Sequence, residues 1–147
     1  MHEVAALLRG VALFSNISEA QLERLARAAR YCAYPQGATI VEQGLRTEEA
    51  QDGDSLYVIV EGHVRVVLEH NGVDEEIARL GPGEFFGEMS LLDGQPRSAT
   101  VLAEEEIMCL ILSRWELLRA MRRDPEIAIQ MLAVLSKRLR ATQQLIA

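Results

Sequence analysis

The sequence predicts a mainly β fold with flanking helices (α+β): a sandwich or jelly roll of short strands between short N-terminal helices and one long C-terminal helix. Three observations carry this. From Tyr31 to Leu112 the chain alternates short runs rich in Val, Ile and Leu with turn residues, at the roughly eight-to-twelve-residue spacing of antiparallel sandwiches. Ahead of these runs, Ser18-Glu19-Ala20-Gln21 reads as a capping box that opens an amphipathic helix. Behind them, Asp124-Pro125-Glu126 combines a cap, a first-turn proline and an acid at the positive end of a helix that runs to the C-terminus.

At 147 residues the chain fits a single domain, 1–147, divided into N-terminal helices 1–30, a β-roll 31–112 and C-terminal helices 113–147. Its 49% hydrophobic and 25% charged residues are the balance of a soluble globular protein, so neither disorder nor a disulfide-stapled miniature is expected. No apolar run approaches the ~20 residues that span a bilayer, and no membrane association is expected. The opening M-H-E-V-A-A-L-L-R-G lacks a basic leader with a long apolar core, which makes the cytoplasm the simplest compartment. A net charge of −7 argues against a free-standing nucleic-acid binder. Cys32 and Cys109, far apart and without C-x-x-C spacing, read as buried thiols, and His2, His63 and His70 form no ligand pattern. No metal site or nucleophile–base set is expected, and the chain is read as a binding protein and not an enzyme.

Taken in order, Val4 to Leu8 is a short helix. Leu22, Leu25, Ala26 and Ala29 then fall at helical spacing, with Glu23, Arg24, Arg27 and Arg30 toward water. Tyr34 to Gly37 is a turn, Ala38 to Val41 a strand, and Gln43-Gly44 a turn, followed by a polar, acidic surface loop over 45–54. Ser55 to Val60 and His63 to Leu68 read as strands joined at Glu61-Gly62 as a hairpin, each with one face for a core. Asn71-Gly72 is a stronger hairpin signal, and Glu75 to Leu80 returns from it. Thr100 to Ala103 and Ile107 to Leu112 are strands around a solvated Glu104-Glu105-Glu106 turn. Ser113-Arg114-Trp115-Glu116 caps a helix in which Trp115 is expected to pack. The last helix carries Ile127, Ile129, Met131, Leu132, Val134, Leu135 and Leu139, more apolar surface than one narrow stripe, which suits packing at home and on a second subunit.

The chemistry concentrates in Gly81 to Val101, G-P-G-E-F-F-G-E-M-S-L-L-D-G-Q-P-R-S-A-T-V. Gly81, Pro82 and Gly83 make a turn, and Gly87 permits a sharp bend or the close approach of a bound group. Glu88 to Leu92 is long enough for one or two helical turns, whose first N–H groups are donors to an anion. After the break at Asp93 to Pro96, Arg97 offers a charged fork and Ser98 a hydroxyl to the same anion. The carboxylate of Glu88 suits a sugar hydroxyl. One segment thus holds tools for a phosphate and a ribose.

The run F-G-E-M-S-L-L-D-G-Q-P-R-S-A-T-V resembles the phosphate-binding cassette of the cyclic nucleotide-binding domain family, which includes catabolite activator proteins, kinase regulatory subunits and nucleotide-gated channels. D-G-D-S-L-Y-V-I-V-E-G-H-V-R-V upstream extends the resemblance to nearly the whole chain, from about Leu13 to Leu145. It implies a double-stranded β-helix jelly roll. It also implies a ligand site of Gly87, Glu88, Met89, Ser90, Arg97 and Ser98, in which Glu88 takes the ribose 2′-hydroxyl and Arg97 the cyclic phosphate. Ser90 and Ser98 complete the cradle, and Thr142 and Gln143 would meet the base. The implied ligand is cAMP, with cGMP open, and the implied assembly is a homodimer through the C-terminal helix. The loop over 45–54 departs from the family pattern. Because no helix-turn-helix follows, two outputs stay open, a further domain or a protein partner, and nucleic-acid binding is not expected of these residues. The rival readings are a degenerate jelly-roll module that binds no nucleotide and, last, a cupin-like metalloenzyme.

Overall fold

The computed structural model describes residues 2–44, 55–88, 92 and 99–146, the last five and the first of these by backbone alone. The chain divides into two compact units, a helical one (Met1–Ala28 with Glu116–Ala147) and a strand unit (Ala29–Trp115).

In the helical unit, α1 (His2–Arg9) leads through a 3-10 turn (Ala12–Phe14) to α2 (Glu19–Ala28). The side chain of Arg9 closes the connection, its Nη1 donating to the carbonyl oxygens of Phe14 at 3.0 Å and Ile17 at 2.6 Å. The capping box forms as read: Gln21 N–H donates to Ser18 Oγ at 3.2 Å, and Ser18 N–H to Gln21 Oε1 at 3.0 Å. Leu22, Leu25 and Ala26 are buried, each large side chain contributing about 1.5–3 kcal/mol of hydrophobic stabilisation. Arg30 lies outside this helix, because the extended chain begins there. α3 (Arg114–Arg123) and α4 (Pro125–Ile146) complete the unit. Asp124 does three jobs between them. Its Oδ1 accepts from Glu126 N–H at 3.3 Å, capping α4, and its Oδ2 accepts from Gln21 Nε2 at 3.0 Å and Arg24 Nη1 at 3.2 Å. Ile127, Met131 and Val134 of α4 are buried, whereas Ile129, Leu132 and Leu139 on its other side are 55%, 61% and 60% exposed. Trp115, expected to pack, is 62% exposed. Leu117 takes the buried position of α3 instead, because a helix buries only the positions on its inward side and Trp115 falls outside them.

Among the described residues, the strand unit forms two four-stranded antiparallel sheets. One is ordered β1 (Arg30–Tyr34), β8 (Ile107–Ser113), β3 (Ser55–Glu61), β6 (Phe85–Phe86). The other is ordered β2 (Thr39–Val41), β7 (Thr100–Ala103), β4 (Val64–His70), β5 (Val73–Leu80). Residues of both sheets interleave in the core: Val41, Val64, Val101 and Ala103 from one, Tyr57, Ile59, Phe86, Ile107, Cys109 and Ile111 from the other. The Asn71-Gly72 hairpin is present, with His70 and Val73 paired across two residues and Asn71 at φ 54°.

The Glu61-Gly62 hairpin is not. β3 and β4 belong to different sheets, and Gly62 carries the chain across between them. Two facts explain this. Gly62 has φ 89°, and a Cβ there would lie 2.6 Å from Ile107 Cγ2 and 2.8 Å from the Glu106 carbonyl oxygen, so the crossing passes hard against β8. In addition, β3 is buried on both faces, Leu56, Tyr57, Val58 and Ile59 all being at most 1% exposed, so its sequence is a continuous apolar run and its alternation carries no direction. The alternation of β4 also breaks. Its register with β5 shifts between Val66 and Val67, where Ile77 of β5 is the extra residue of a bulge, and Val67 is buried beyond it. β5 ends its sheet, exposed from Val73 to Arg79.

Cys32 and Cys109, distant in sequence, stand directly opposite each other on β1 and β8 as free thiols. Burial, with a smaller contribution from Cys32, pushes the Cys109 thiol up to about 12, so it remains protonated at neutral pH. Two of the three glutamates expected to be solvated are engaged: Arg79 Nε donates to Glu104 at 2.9 Å, and Glu105 Oε1 lies 2.8 Å from His63 Nδ1. The hydrogen bond with His63 holds the exposed Glu105 carboxyl below the usual carboxylate range, so that contact contributes above the ordinary carboxylate pKa and fades as pH falls through the lowered value.

Substituting Gly62→Ala combines a left-handed backbone with a clash against β8 and is expected to cost about 2–4 kcal/mol in urea unfolding. A loss below about 0.5 kcal/mol, the scale of neutral surface changes, would show that the crossing has room to relax.

Candidate functional site

The loop singled out in the sequence begins on a short strand tied to the core. Phe86 pairs with Tyr57 across β6 and β3, and their rings stack with centroids 4.8 Å apart and planes at 4°. The turn before it is pinned twice to Ile59, whose N–H donates to the Glu84 carbonyl at 2.9 Å and whose carbonyl accepts from Gly83 N–H at 2.8 Å. The side chain of Glu84 reaches back to accept from Gly81 N–H at 3.0 Å. Gly81 itself lies under the His63 ring, which a Cβ would approach to 2.8 Å. These anchors place Gly87, at φ 86°, one residue beyond a fully stacked aromatic. At that φ a side chain would be strained, and a glycine lets the chain turn directly off the sheet.

Glu88 follows in helical conformation, half-buried, with its Oε2 atom shielded from solvent. A carboxylate oxygen held out of bulk water is a stronger hydrogen-bond acceptor for a ligand hydroxyl than one on an open surface. Leu92 is again helical. The chain returns at Thr100, whose backbone pairs with Val67 in the other sheet and whose Oγ1 accepts from Gln43 N–H at 2.9 Å. The chain thus leaves one sheet at β6 and is next paired in the opposite sheet, at β7.

Of the residues expected to bind ligand, the structure describes Gly87 and Glu88, adjacent at the start of the loop. Met89, Ser90, Arg97 and Ser98 lie outside the described residues, as does the acidic stretch 45–54. Thr142 and Gln143 are in α4 by backbone, with side chains outside the description. Sequence reasoning passed over the positioning set of Tyr57, Glu84 and Phe86. A signal for Glu84 was present: a carboxylate three residues after a turn glycine has the reach of a capping-box residue. Among the described residues, no group of three or more His, Cys, Asp or Glu is placed to hold a metal ion, and no helix is long and apolar enough to cross a membrane.

Known proteins share this arrangement. Residues 32–124, more than half the chain, match the family model described as the cyclic nucleotide-binding domain. The cyclic AMP receptor protein of Thermus thermophilus is 38% identical over 134 residues, 90% of this chain and 59% of that protein. A cyclic nucleotide-gated potassium channel of Rhizobium etli is 38% identical over 122 residues, 83% of this chain and 31% of the channel. The chain thus spans less than two thirds of either relative. The crystal structure of the N-terminal domain of a transcriptional regulator from Streptomyces coelicolor superposes with a TM-score of 0.83 at 31% identity, over 94% of this chain and 95% of that domain. With a two-sheet antiparallel roll, a glycine turn off the end of β6 and a family model matched over residues 32–124, the chain belongs to the cyclic nucleotide-binding domain family.

Proposed function

We propose that this chain is a cyclic-nucleotide sensor with cAMP as its ligand, acting by binding alone and catalysing no reaction. The observation that carries the reading is Glu88, turned off the Phe86 anchor by Gly87 and holding a carboxylate oxygen out of solvent at the start of a loop that continues to Arg97 and Ser98. In this reading Glu88 accepts the ribose 2′-hydroxyl and Arg97 pairs with the cyclic phosphate. The amide of Ser90 and the amide and hydroxyl of Ser98 complete the cradle, Met89 belongs to the same site, and Thr142 and Gln143 meet the base. The name of the Thermus relative supports cAMP over cGMP. Because an effector must bind two conformations unequally to shift them, the proposed output is a change in the position of α4 between free and bound forms. A further domain or a protein partner reads that change, and these residues themselves bind no nucleic acid. The proposed compartment is the cytoplasm.

Calorimetric titration with cAMP, cGMP and 5′-AMP tests this directly. Saturable binding of cAMP, weaker binding of cGMP and none of 5′-AMP is the expected result. Silence toward all three from folded, ligand-stripped protein would turn the reading to a jelly-roll module without nucleotide. In the same assay Arg97→Ala is expected to weaken binding roughly tenfold or more, with an unchanged thermal melt, because a charge-assisted hydrogen bond contributes about 1.5–3 kcal/mol.

Ile129, Leu132 and Leu139 support a homodimer through α4, since they leave an apolar stripe exposed on the side away from Ile127, Met131 and Val134. Sedimentation at high concentration is expected to show a species twice the 16.4 kDa of the chain. A monomer throughout would end the dimer proposal and leave the ligand proposal standing.

A further inference from the structure

We infer that the helical unit carries a second binding site, for a small oligophosphate anion, in an arginine-lined cavity between α2 and α3. The cavity has a volume of about 470 Å³, and every residue lining it belongs to that unit. Arg24 and Arg27 reach it from α2, and Arg119 and Arg123 from α3. Their spacing explains the convergence, because residues three and four apart share one side of a helix, so each pair forms a stripe and the two stripes face one cavity. Ala28 and Ala120 add small apolar surface, and Glu116 is the one carboxylate of the lining.

On a chain of net charge −7, four guanidinium groups around one cavity run against the average. Arg24 is steadied by Asp124, whose Oδ2 it meets at 3.2 Å. Arg27, Arg119 and Arg123 have no hydrogen bond or ion pair among the described residues. A basic residue in the last turn of a helix offsets the helix dipole, which accounts for Arg27 at the end of α2 and Arg123 at the end of α3 taken singly. It does not account for two arginines from each helix turned into the same space, where like charges repel.

A guanidinium presents paired N–H donors that match two oxygens of one phosphate, so an anion with several phosphates engages several arginines at once and removes their repulsion. The volume lies within the roughly 300–1,000 Å³ of small-molecule sites. The lining has no large apolar side chain, and so lacks the pocket in which a peptide would seat an anchor residue. Both facts favour a compact polyanion over an acidic protein segment. This inference does not rest on the cyclic-nucleotide reading.

The test is calorimetric titration of the full chain with sodium tripolyphosphate at low ionic strength. Wild type is expected to bind one equivalent saturably. The double variant Arg119→Gln/Arg123→Gln is expected to bind at least roughly tenfold more weakly, with Arg97→Gln unchanged. Should the double variant melt differently from wild type, Arg27→Gln, at a helix end, gives the same comparison. Absence of saturable binding would overturn the inference, as would equal affinity in the cavity variants. Weakening by Arg97→Gln would place the anion in the loop after Gly87 instead. A polyglutamate peptide that binds as tightly as tripolyphosphate would make the cavity a surface for acidic proteins.

Discussion

The closeness of Gly62 to the backbone of Glu106 and Ile107 is the constraint on which the roll depends. At Gly62 the backbone is left-handed with no room for a Cβ against β8, and there the chain passes from β3 into the opposite sheet. Once that crossing is made, β3 and β4 face each other across a core and not along a ladder. β8 then lies between β1 and β3, and the interleaved residues of both sheets close around Tyr57, Cys109 and Ile111. The stability of such a unit comes chiefly from apolar area withdrawn from water. The crossing determines which residues are withdrawn together.

The loop after Gly87 inherits its position from this arrangement. Its first end is held by a stacked pair, by two backbone bonds to Ile59 and by the Glu84 side chain, and its second by β7 in the other sheet. A segment whose two ends sit on paired strands has those ends fixed by the fold. Glu88 sits close to the fixed end.

Much of this was legible in the sequence, and the parts that were not share a physical cause. Ser18 with Gln21, Asp124 with Pro125, and Asn71 with Gly72 act over two to four residues, and each made the contact that its chemistry suggests. What a local pattern does not contain is the partner across space. Glu61-Gly62 has hairpin composition, yet whether the next strand pairs or crosses depends on Ile107, some 45 residues away in the chain. The burial of both faces of β3 and the exposure of Trp115 depend likewise on what packs where. Cys32 and Cys109 had no spacing to mark them, and only the register of β1 on β8 sets them opposite. For the site, the motif pointed to Gly87 and Glu88, while the Tyr57–Phe86 stack that places them was invisible because its halves lie on separate strands.

The outer strand β5 has a consequence for life in a crowded solution. A strand at the end of a sheet offers unpaired backbone groups to any other extended chain, and Val73 and Ile77, 67% and 51% exposed, add apolar surface to that offer. Asp74, Glu75, Glu76 and Arg79 line the same exposed strand, and the bulge opposite Val66 and Val67 breaks the even rise that a continuing ladder requires. A second molecule would have to bury like charges and follow a kinked edge. Charge and bulge together disfavour growth of the sheet by addition of copies of itself, and with it fibrous aggregation.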